Sequence, residues 1–476
     1  MRLITSKLSQ INTRPRDFYH RQKSFHIKRF HMSKIDVQNI VPDNVHTVLK
    51  SNMLVKGYDL VFDLEKSHGS YIVDSLTGKK YLDMFSFYAS WPIAHNHPKL
   101  NNAVFKHELG TVAIHNPANS DIYTKEFAQF VATFRRVCIP AGFEHLFLIS
   151  TGTLAVENAL KVAFDWKTRK NLSMGKTQFG SKVIHFKEAF HGRSGYTLSL
   201  TNTADPAKYM YFPLFDWPRI INPKIKFPLE GENLEQVINL ERIALNDIER
   251  VLQIDSDSIA SIILECLQGE GGNNHFRPEF WQSLRKLADQ YDVMLIADEV
   301  QTGMGLTGKM WAFEHMGASP DIICFGKKAQ ICGIICNSRV DEVPDNVFVV
   351  PSRINSTWGG NLTDMVRSKK IIEIIEEENL VENAKTIGEY LLDKLHQLGV
   401  LHPHKISNIR GKGLMCAFDL PDAKSCTKLI DLAYDNQLLI ISCGTRSIRL
   451  VPVLDVTKSD IDKLIKILDY CLTKLE

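Results

Sequence analysis

Three kinds of feature are missing from this sequence of 476 residues, and each absence narrows what the chain can be. No apolar run approaches the roughly 18–20 residues needed to cross a bilayer, so no membrane span is expected. The nine cysteines are odd in number and form no Cys-x-x-Cys pair; the closest two, Cys332 and Cys336, have no histidine cluster beside them. That excludes a disulfide framework and a zinc site, so no metal is expected, and it suits a reducing compartment. Internal repeats and low-complexity tracts are missing too, and 44% hydrophobic with 23% charged residues is the balance of an ordinary globular protein.

The formal charge of +3 conceals an asymmetry. Residues 1–34 hold nine Lys/Arg against the single acid Asp17, a net of +8, so the other 442 residues sum to −5. A mildly acidic body offers no surface for nucleic acid. The basic, acid-poor start, with interspersed Ser, Thr and apolar residues, has the composition of a mitochondrial presequence, the alternative being a disordered basic tail. Import into the mitochondrial matrix is the expectation; translation from Met32 would skip the presequence and leave the protein cytoplasmic.

After the basic segment, "GSYIVDSLTGKKYLDM" (69–84) reads as two strands joined by a turn at Leu76–Lys79. From about 120 to 345, short apolar runs alternate with stretches of helical period: "HLFLIS" (145–150), "KVIHF" (182–186), "SIIL" (261–264), "VMLIAD" (293–298) and "DIICF" (321–325). This alternation predicts an α/β fold with a mainly parallel sheet covered by helices on both faces. The last hundred residues predict a small α+β unit, with helices over 379–399 and 458–475 and strands over 414–420 and 447–453. The expected division is 1–34 presequence or tail, 35–95 N-terminal segment of a small domain, 96–345 large domain, and 346–476 C-terminal small domain with its linking helix.

In open α/β sheets, ligands sit beyond the carboxyl ends of the strands, so the residues that follow each run carry the functional reading. "VMLIAD" ends on Asp298 and "DIICFGKK" on Lys327 and Lys328, about one βαβ unit apart, with a helix expected between them carrying Trp311, Phe313 and His315. Thr151, Gly152 and Thr153 open a predicted helix, where free N–H groups and the helix dipole can cradle a phosphate. "KEAFHGRSGYTLSLTN" (187–202) offers a flat apolar face at Phe190 and a bidentate donor at Arg193. "SIILECLQGEGG" (261–272) ends its run on Glu265 and puts Glu270 on a glycine-flanked loop read as flexible, while Arg449 sits in an apolar strand and needs a partner. Taken singly, ordinary caps, turns and surface ion pairs account for each feature. Together, a phosphate cradle, a stacking face, an acid and lysine at neighbouring strand ends and two arginines point to pyridoxal 5'-phosphate.

The segments "LIADEVQTGMGLTG…PDIICFGKK", "HGRSGYTLSLTNT", "FDWPRI", "QGEGG" and "PSRINSTWGGNLTDMV" resemble the class III (subgroup II) aminotransferases, pyridoxal-phosphate enzymes of fold type I, over roughly residue 45 to the C-terminus. Within that family they are most similar to the L-lysine 6-aminotransferase branch. The resemblance implies that Lys327 carries the cofactor, Asp298 pairs with its ring N–H and Gln301 reaches its phenolic oxygen. Val300 and Phe190 sandwich the ring, and Gly152 and Thr153 hold the phosphate. Thr357 comes from the partner subunit, which implies a homodimer with composite sites. Arg193 is expected to take the distal carboxylate and Arg449 the α-carboxylate of L-glutamate or 2-oxoglutarate, with Glu270 as the family's switch. Counting from Asp321 favours Lys327 over Lys328, which is left as a surface residue. Cys266 stands where members commonly have proline.

The implied reaction is transfer of the ε-amino group of L-lysine to 2-oxoglutarate. Transamination of 4-aminobutyrate is the alternative within the fold. A racemase or mutase would need no keto-acid co-substrate, and a binding protein would need no reactive lysine.

Overall fold

The computed structural model describes residues 39–475; the basic segment 1–34, Met32 included, lies outside the described residues. Residues 39–61 belong to one compact unit, in which a turn at Pro42–Asn44 leads into the helix Val45–Lys50. Residues 62–475 belong to the other, and it contains everything that follows.

Its centre is a seven-stranded sheet. In chain order the strands are β1 (Phe143–Ile149), β2 (Lys182–Phe186), β3 (Arg219–Ile220), β4 (Ile259–Glu265), β5 (Met294–Asp298), β6 (Ile322–Phe325) and β7 (Cys332–Asn337). Their spatial order is β1-β7-β6-β5-β4-β2-β3. All neighbours are parallel except at β7, which runs against both β6 and β1. All seven residues of β4 and all five of β5 are buried, as expected for strands covered on both faces. Alternation divides them. Ile263 and Ile296 pack with Ala155, Ala159 and Trp166 of the helix Gly152–Ser173. Ile262, Leu264 and Leu295 pack on the opposite face with Phe280, Trp281 and Leu284 of the helix Pro278–Gln290.

The terminal parts of this unit meet in a second layer. Tyr71–Val73 pairs antiparallel with Lys80–Asp83, which pairs in parallel with Leu438–Leu439. A four-stranded antiparallel sheet holds Ser407–Lys412, Met415–Asp419, Ser447–Leu450 and Ile441–Cys443, and Arg449 lies opposite Ala417 and Ile441. The helices Leu380–Leu401 and Lys458–Lys474 fall where the sequence places them.

Two features differ from expectation. The connection from β5 to β6 is not a helix but a run of turns with one 3-10 segment, Ala312–His315. Met304, Gly305 and Gly308 have φ of +64°, +91° and +82°, left-handed backbone that a right-handed helix cannot contain. Trp311 and Phe313 are core residues of this loop: Trp311 is wholly buried and donates Nε1–H to the Cys138 carbonyl at 2.6 Å. The second difference is β7, a strand the apolar runs did not disclose. It passes between β1 and β6 at Gly333, where an added Cβ would lie 2.3 Å from the Phe147 carbonyl oxygen and 2.7 Å from the Phe325 ring. Gly333→Ala is therefore expected to destabilise the protein by about 1–3 kcal/mol through overpacking, read as a lower midpoint in thermal unfolding; an unchanged midpoint would contradict this packing.

Candidate active site

The strand register aligns the chemistry. Asp298 on β5 is the register partner of Glu265 on β4 and of Cys324 on β6, so two carboxylates end their strands side by side, and Lys327 follows three residues beyond Cys324. Lys327 begins a 3-10 turn, Lys327–Ala329, with φ of +46°, after the strand has ended. Left-handed backbone at a non-glycine residue is a local cost that recurs at functional positions.

Asp298 is buried. It accepts a hydrogen bond from His191 Nδ1 at 2.7 Å and one from the Val300 amide at 3.1 Å. Burial disfavours a charged His191, but the bound Asp298 carboxylate and the nearby Glu265 outweigh it and hold the imidazole above its usual pKa. Glu265 accepts from the Phe190 amide at 2.9 Å and the Gly269 amide at 3.1 Å. Burial pushes its carboxyl up to about 7; the adjacent Asp298 adds to the rise, while His191 and the two amides oppose it.

Lys327 is partly buried, and its Nζ makes no hydrogen bond or ion pair among the described residues. Burial, and then the positive charge of Arg449, pull its amine down to about 8, against Glu265, Asp298 and Glu270. The amine thus loses its proton much closer to neutrality than an ordinary lysine.

Lys328 is not the surface residue expected. It is 1% exposed and donates from Nζ to the carbonyls of Trp91 at 2.9 Å and Pro452 at 3.3 Å. Burial lowers its pKa to about 7, against Asp83 and Asp455. Both lysines are therefore perturbed, but only Lys327 has an uncommitted amine.

The remaining expected residues fall into two groups. Val300 sits against Gly152 and Gly326, its Cγ1 being 2.7 Å and 3.3 Å from where a Cβ would stand on each glycine. The helix Gly152–Ser173 starts there with no side-chain cap from Thr151. The Thr153 hydroxyl bonds those of Ser194 at 2.9 Å and Thr197 at 2.8 Å, and Gly192 leaves room for it. Gly269 carries both Gln301 and Arg449, whose Oε1 and Nη1 would stand 2.0 Å and 2.6 Å from a Cβ there. Gln301 Nε2, Arg449 Nε and Nη1, and His191 Nε2 are buried without a hydrogen-bond partner. Buried donors without partners are rare, and this many in one place fit a polar group that the chain itself does not supply. Gly152, Thr153, Phe190, Val300, Gln301, Asp298, Lys327, Glu270 and Arg449 are thus joined in one cluster.

Arg193 and Thr357 are not joined to it within the chain. Arg193 is exposed and makes no ion pair among the described residues. Thr357 lies on an exposed loop whose bonds go to Asn119 and Ser120. The Glu270 loop also departs from its reading as flexible. The Glu270 carbonyl accepts from the Gly444 amide at 2.8 Å, and Gly271 abuts the Glu188 carbonyl with no room for a Cβ. The backbone is pinned and only the Glu270 side chain is free to turn; it pairs with Lys208.

Sequence reasoning missed His191, Glu265 as an amide acceptor, Ser194, Thr197 and Lys208. His191 and Ser194 lie within the segment singled out for Phe190 and Arg193, where a histidine amid glycines is the readable sign. Among the described residues no group of three or more His, Cys, Asp or Glu is placed to hold a metal ion, and no helix is long and apolar enough to cross a membrane.

A reactive lysine and a buried aspartate at the carboxyl edge of a parallel sheet, facing an uncapped helix start, define a pyridoxal-5'-phosphate-dependent transferase. The class-III aminotransferase profile matches residues 54–472. The L-lysine-epsilon aminotransferase of Mycobacterium tuberculosis is 48% identical over 426 residues, 89% of this chain and 94% of that protein. The solved lysine aminotransferase from M. tuberculosis in the internal aldimine form superposes with a TM-score of 0.89 at 46% identity, covering 92% of this chain and 100% of that one. The mitochondrial 4-aminobutyrate aminotransferase of Homo sapiens is 32% identical over 412 residues, 82% of this chain and 80% of that protein. The chain belongs to the class-III aminotransferase family.

Glu265 gives the site a stability signature. Its folded-state pKa lies above the ordinary 4.5, so the folded protein holds a proton that the unfolded chain has released between about 4.5 and 7. Stability from this group falls as pH rises through that window. Glu265→Gln removes the titration and should narrow or reverse any deficit against wild type as pH rises from 5 to 8 in thermal unfolding. A constant difference across that range would contradict the raised pKa.

Proposed function

We propose that this chain transfers the ε-amino group of L-lysine to 2-oxoglutarate, giving 2-aminoadipate 6-semialdehyde and L-glutamate. The observation that carries the reading is Arg449, 1% exposed with two nitrogens unpartnered, its Nη1 against Gly269, the residue before Glu270. A buried cation without an anion is costly, so the site is built for a ligand that brings one. The α-carboxylate of 2-oxoglutarate or glutamate is such an anion. The carbon bearing the ε-amine of lysine has none. The greater similarity to lysine-ε-aminotransferases than to the 4-aminobutyrate enzyme supports lysine as donor.

When bound, pyridoxal 5'-phosphate takes up the substrate amine and drains charge from the adjacent C–H bond. The first-turn amides after Thr151, with the Thr153 hydroxyl, are suited to its phosphate, and Asp298 to its protonated ring nitrogen. Gln301 Nε2 is a free donor for its phenolic oxygen, and Phe190 and Val300 supply apolar faces. His191 keeps Asp298 oriented through the bond to Oδ2. Lys327, its amine pulled down to about 8, is the group that would move the proton from the substrate carbon to the cofactor carbon. Arg193, exposed and unpaired, is available for the carboxylate at the far end of either donor. A cation at that end would accommodate both substrates, while Arg449 and Glu270 distinguish them.

A homodimer with composite sites is part of the proposal. Thr357 lies away from the cluster of its own chain, and Val104, Ile114, Tyr123 and Trp358 are 80%, 80%, 74% and 51% exposed, apolar surface of the kind that subunits cover. Delivery to the mitochondrial matrix is proposed on the basic residues 1–34 alone; the bacterial lysine-ε-aminotransferases lend it no support.

With 2-oxoglutarate as acceptor, glutamate should form faster from L-lysine than from 4-aminobutyrate; equal or faster turnover of 4-aminobutyrate would overturn the donor assignment. In single-turnover measurements, Glu270→Ala should slow the lysine half-reaction more than the glutamate half-reaction, and equal losses would remove Glu270 from the discrimination. Lys327→Ala should lower turnover by at least about 10²–10⁴-fold, the range of acid–base catalysis alone.

A further inference from the structure

Glu270 is not on Arg449 in this structure. Its carboxylate is paired with Lys208, on the turn Pro206–Lys208, 62 residues away in sequence. That partner has no place in the reading so far. The Lys208 side chain is only 17% exposed, its Nζ lies 5.8 Å from the centroid of the Phe190 ring, and Asp205 caps the turn that presents it. It therefore stands at the mouth of the same site, over the aromatic face. The Glu270 backbone is held by Gly444, and the next residue cannot shift because Gly271 is pressed against Glu188 and Gly444. Arg449 is equally fixed, its Nη1 seated on Gly269, the residue immediately before Glu270. One anionic side chain is thus paired with Lys208, one residue after the glycine on which the Arg449 guanidinium sits.

We propose that Lys208 is a positioning residue that holds Glu270 off Arg449, and that the Lys208–Glu270 pair is the keto-acid-ready state of the enzyme. The proposal rests on the reading that Arg449 takes the α-carboxylate of 2-oxoglutarate and glutamate. With Glu270 on Lys208, Arg449 is open to that carboxylate. With Glu270 on Arg449, the cation is neutralised and the site suits the chargeless ε-carbon of lysine. Lys208 sets the balance between the two, because it offers Glu270 a competing charge-assisted hydrogen bond of the same kind. A ligand that binds only one of two states gains or loses affinity with that state's population, so changing Lys208 moves the two half-reactions in opposite directions. Removing Glu270 instead leaves Lys208 nothing to hold. The effect of Lys208 must then disappear.

The test uses holoenzyme and glutarate, a dicarboxylate with neither amino nor keto group, whose Kd is measured by calorimetry, together with single-turnover rates for lysine and for glutamate. Lys208→Met should weaken glutarate by about 5-fold or more, the lower end of typical coupling between states, and raise the apparent Kd for glutamate without lowering its limiting rate. Its lysine half-reaction should be faster, which also shows that the variant is folded. Lys208→Arg should retain wild-type values, and in a Glu270→Ala background Lys208→Met should have no further effect on glutarate. Equal impairment of both half-reactions, undiminished glutarate binding, or a full Lys208→Met effect in the Glu270→Ala background would each overturn the proposal. A wild-type enzyme that consumed lysine without binding glutarate would overturn the reading of Arg449 itself, and this proposal with it.

Discussion

Everything at this site depends on the register of three parallel strands. Because Glu265, Asp298 and Cys324 are partners across β4, β5 and β6, two carboxylates meet at one sheet edge, with the reactive lysine just past the third strand. Such proximity would repel if both acids were ionised and unsupported. The structure resolves it by giving Asp298 the His191 imidazole and leaving Glu265 raised to about 7, held by two backbone amides. A slip of one residue in any strand would turn these side chains to the opposite face, which the buried rows of β4 and β5 forbid. Packing thus fixes the electrostatics.

The two adjacent lysines show what burial does and does not decide. Both lose much of the usual preference for the charged form. Lys328 spends its ammonium on two backbone carbonyls and ties the end of β6 to Trp91 and Pro452, segments 237 and 124 residues away. Lys327, turned out of the strand by its left-handed backbone, keeps its amine free. Lowered pKa alone would not have chosen between them. The commitment of the hydrogen bonds does.

What could be read from the sequence follows from how local the cause is. The strands β1, β2, β4, β5 and β6 were legible because burial on both faces leaves continuous apolar runs, and the helix at Gly152 because its start follows directly on β1. The helix expected before β6 failed on local grounds too: the left-handed positions Gly305 and Gly308 outweighed the apolar residues Trp311 and Phe313, which bury themselves from turns. β7 was missed since only six residues separate it from β6, with a single 3-10 turn and without a glycine–asparagine type of signal. The candidate residues at strand ends were legible as positions. Their partners were not. His191 reaches Asp298 across 107 residues and Lys208 reaches Glu270 across 62, and no pattern within either segment encodes the meeting. The pinned backbone around Glu270 was hidden for the same reason: its glycines suggest freedom, whereas they permit close packing against Glu188 and Gly444.

The central claim is that the strand register delivers Lys327, not its neighbour, to the cofactor. Reducing the holoenzyme with borohydride, digesting it and locating the added cofactor mass by tandem mass spectrometry tests this directly. The account predicts the label on Lys327 alone, with Lys328 unmodified. Label on Lys328 would contradict it, since the carbonyls of Trp91 and Pro452 would then have to be abandoned and the register read here would be wrong.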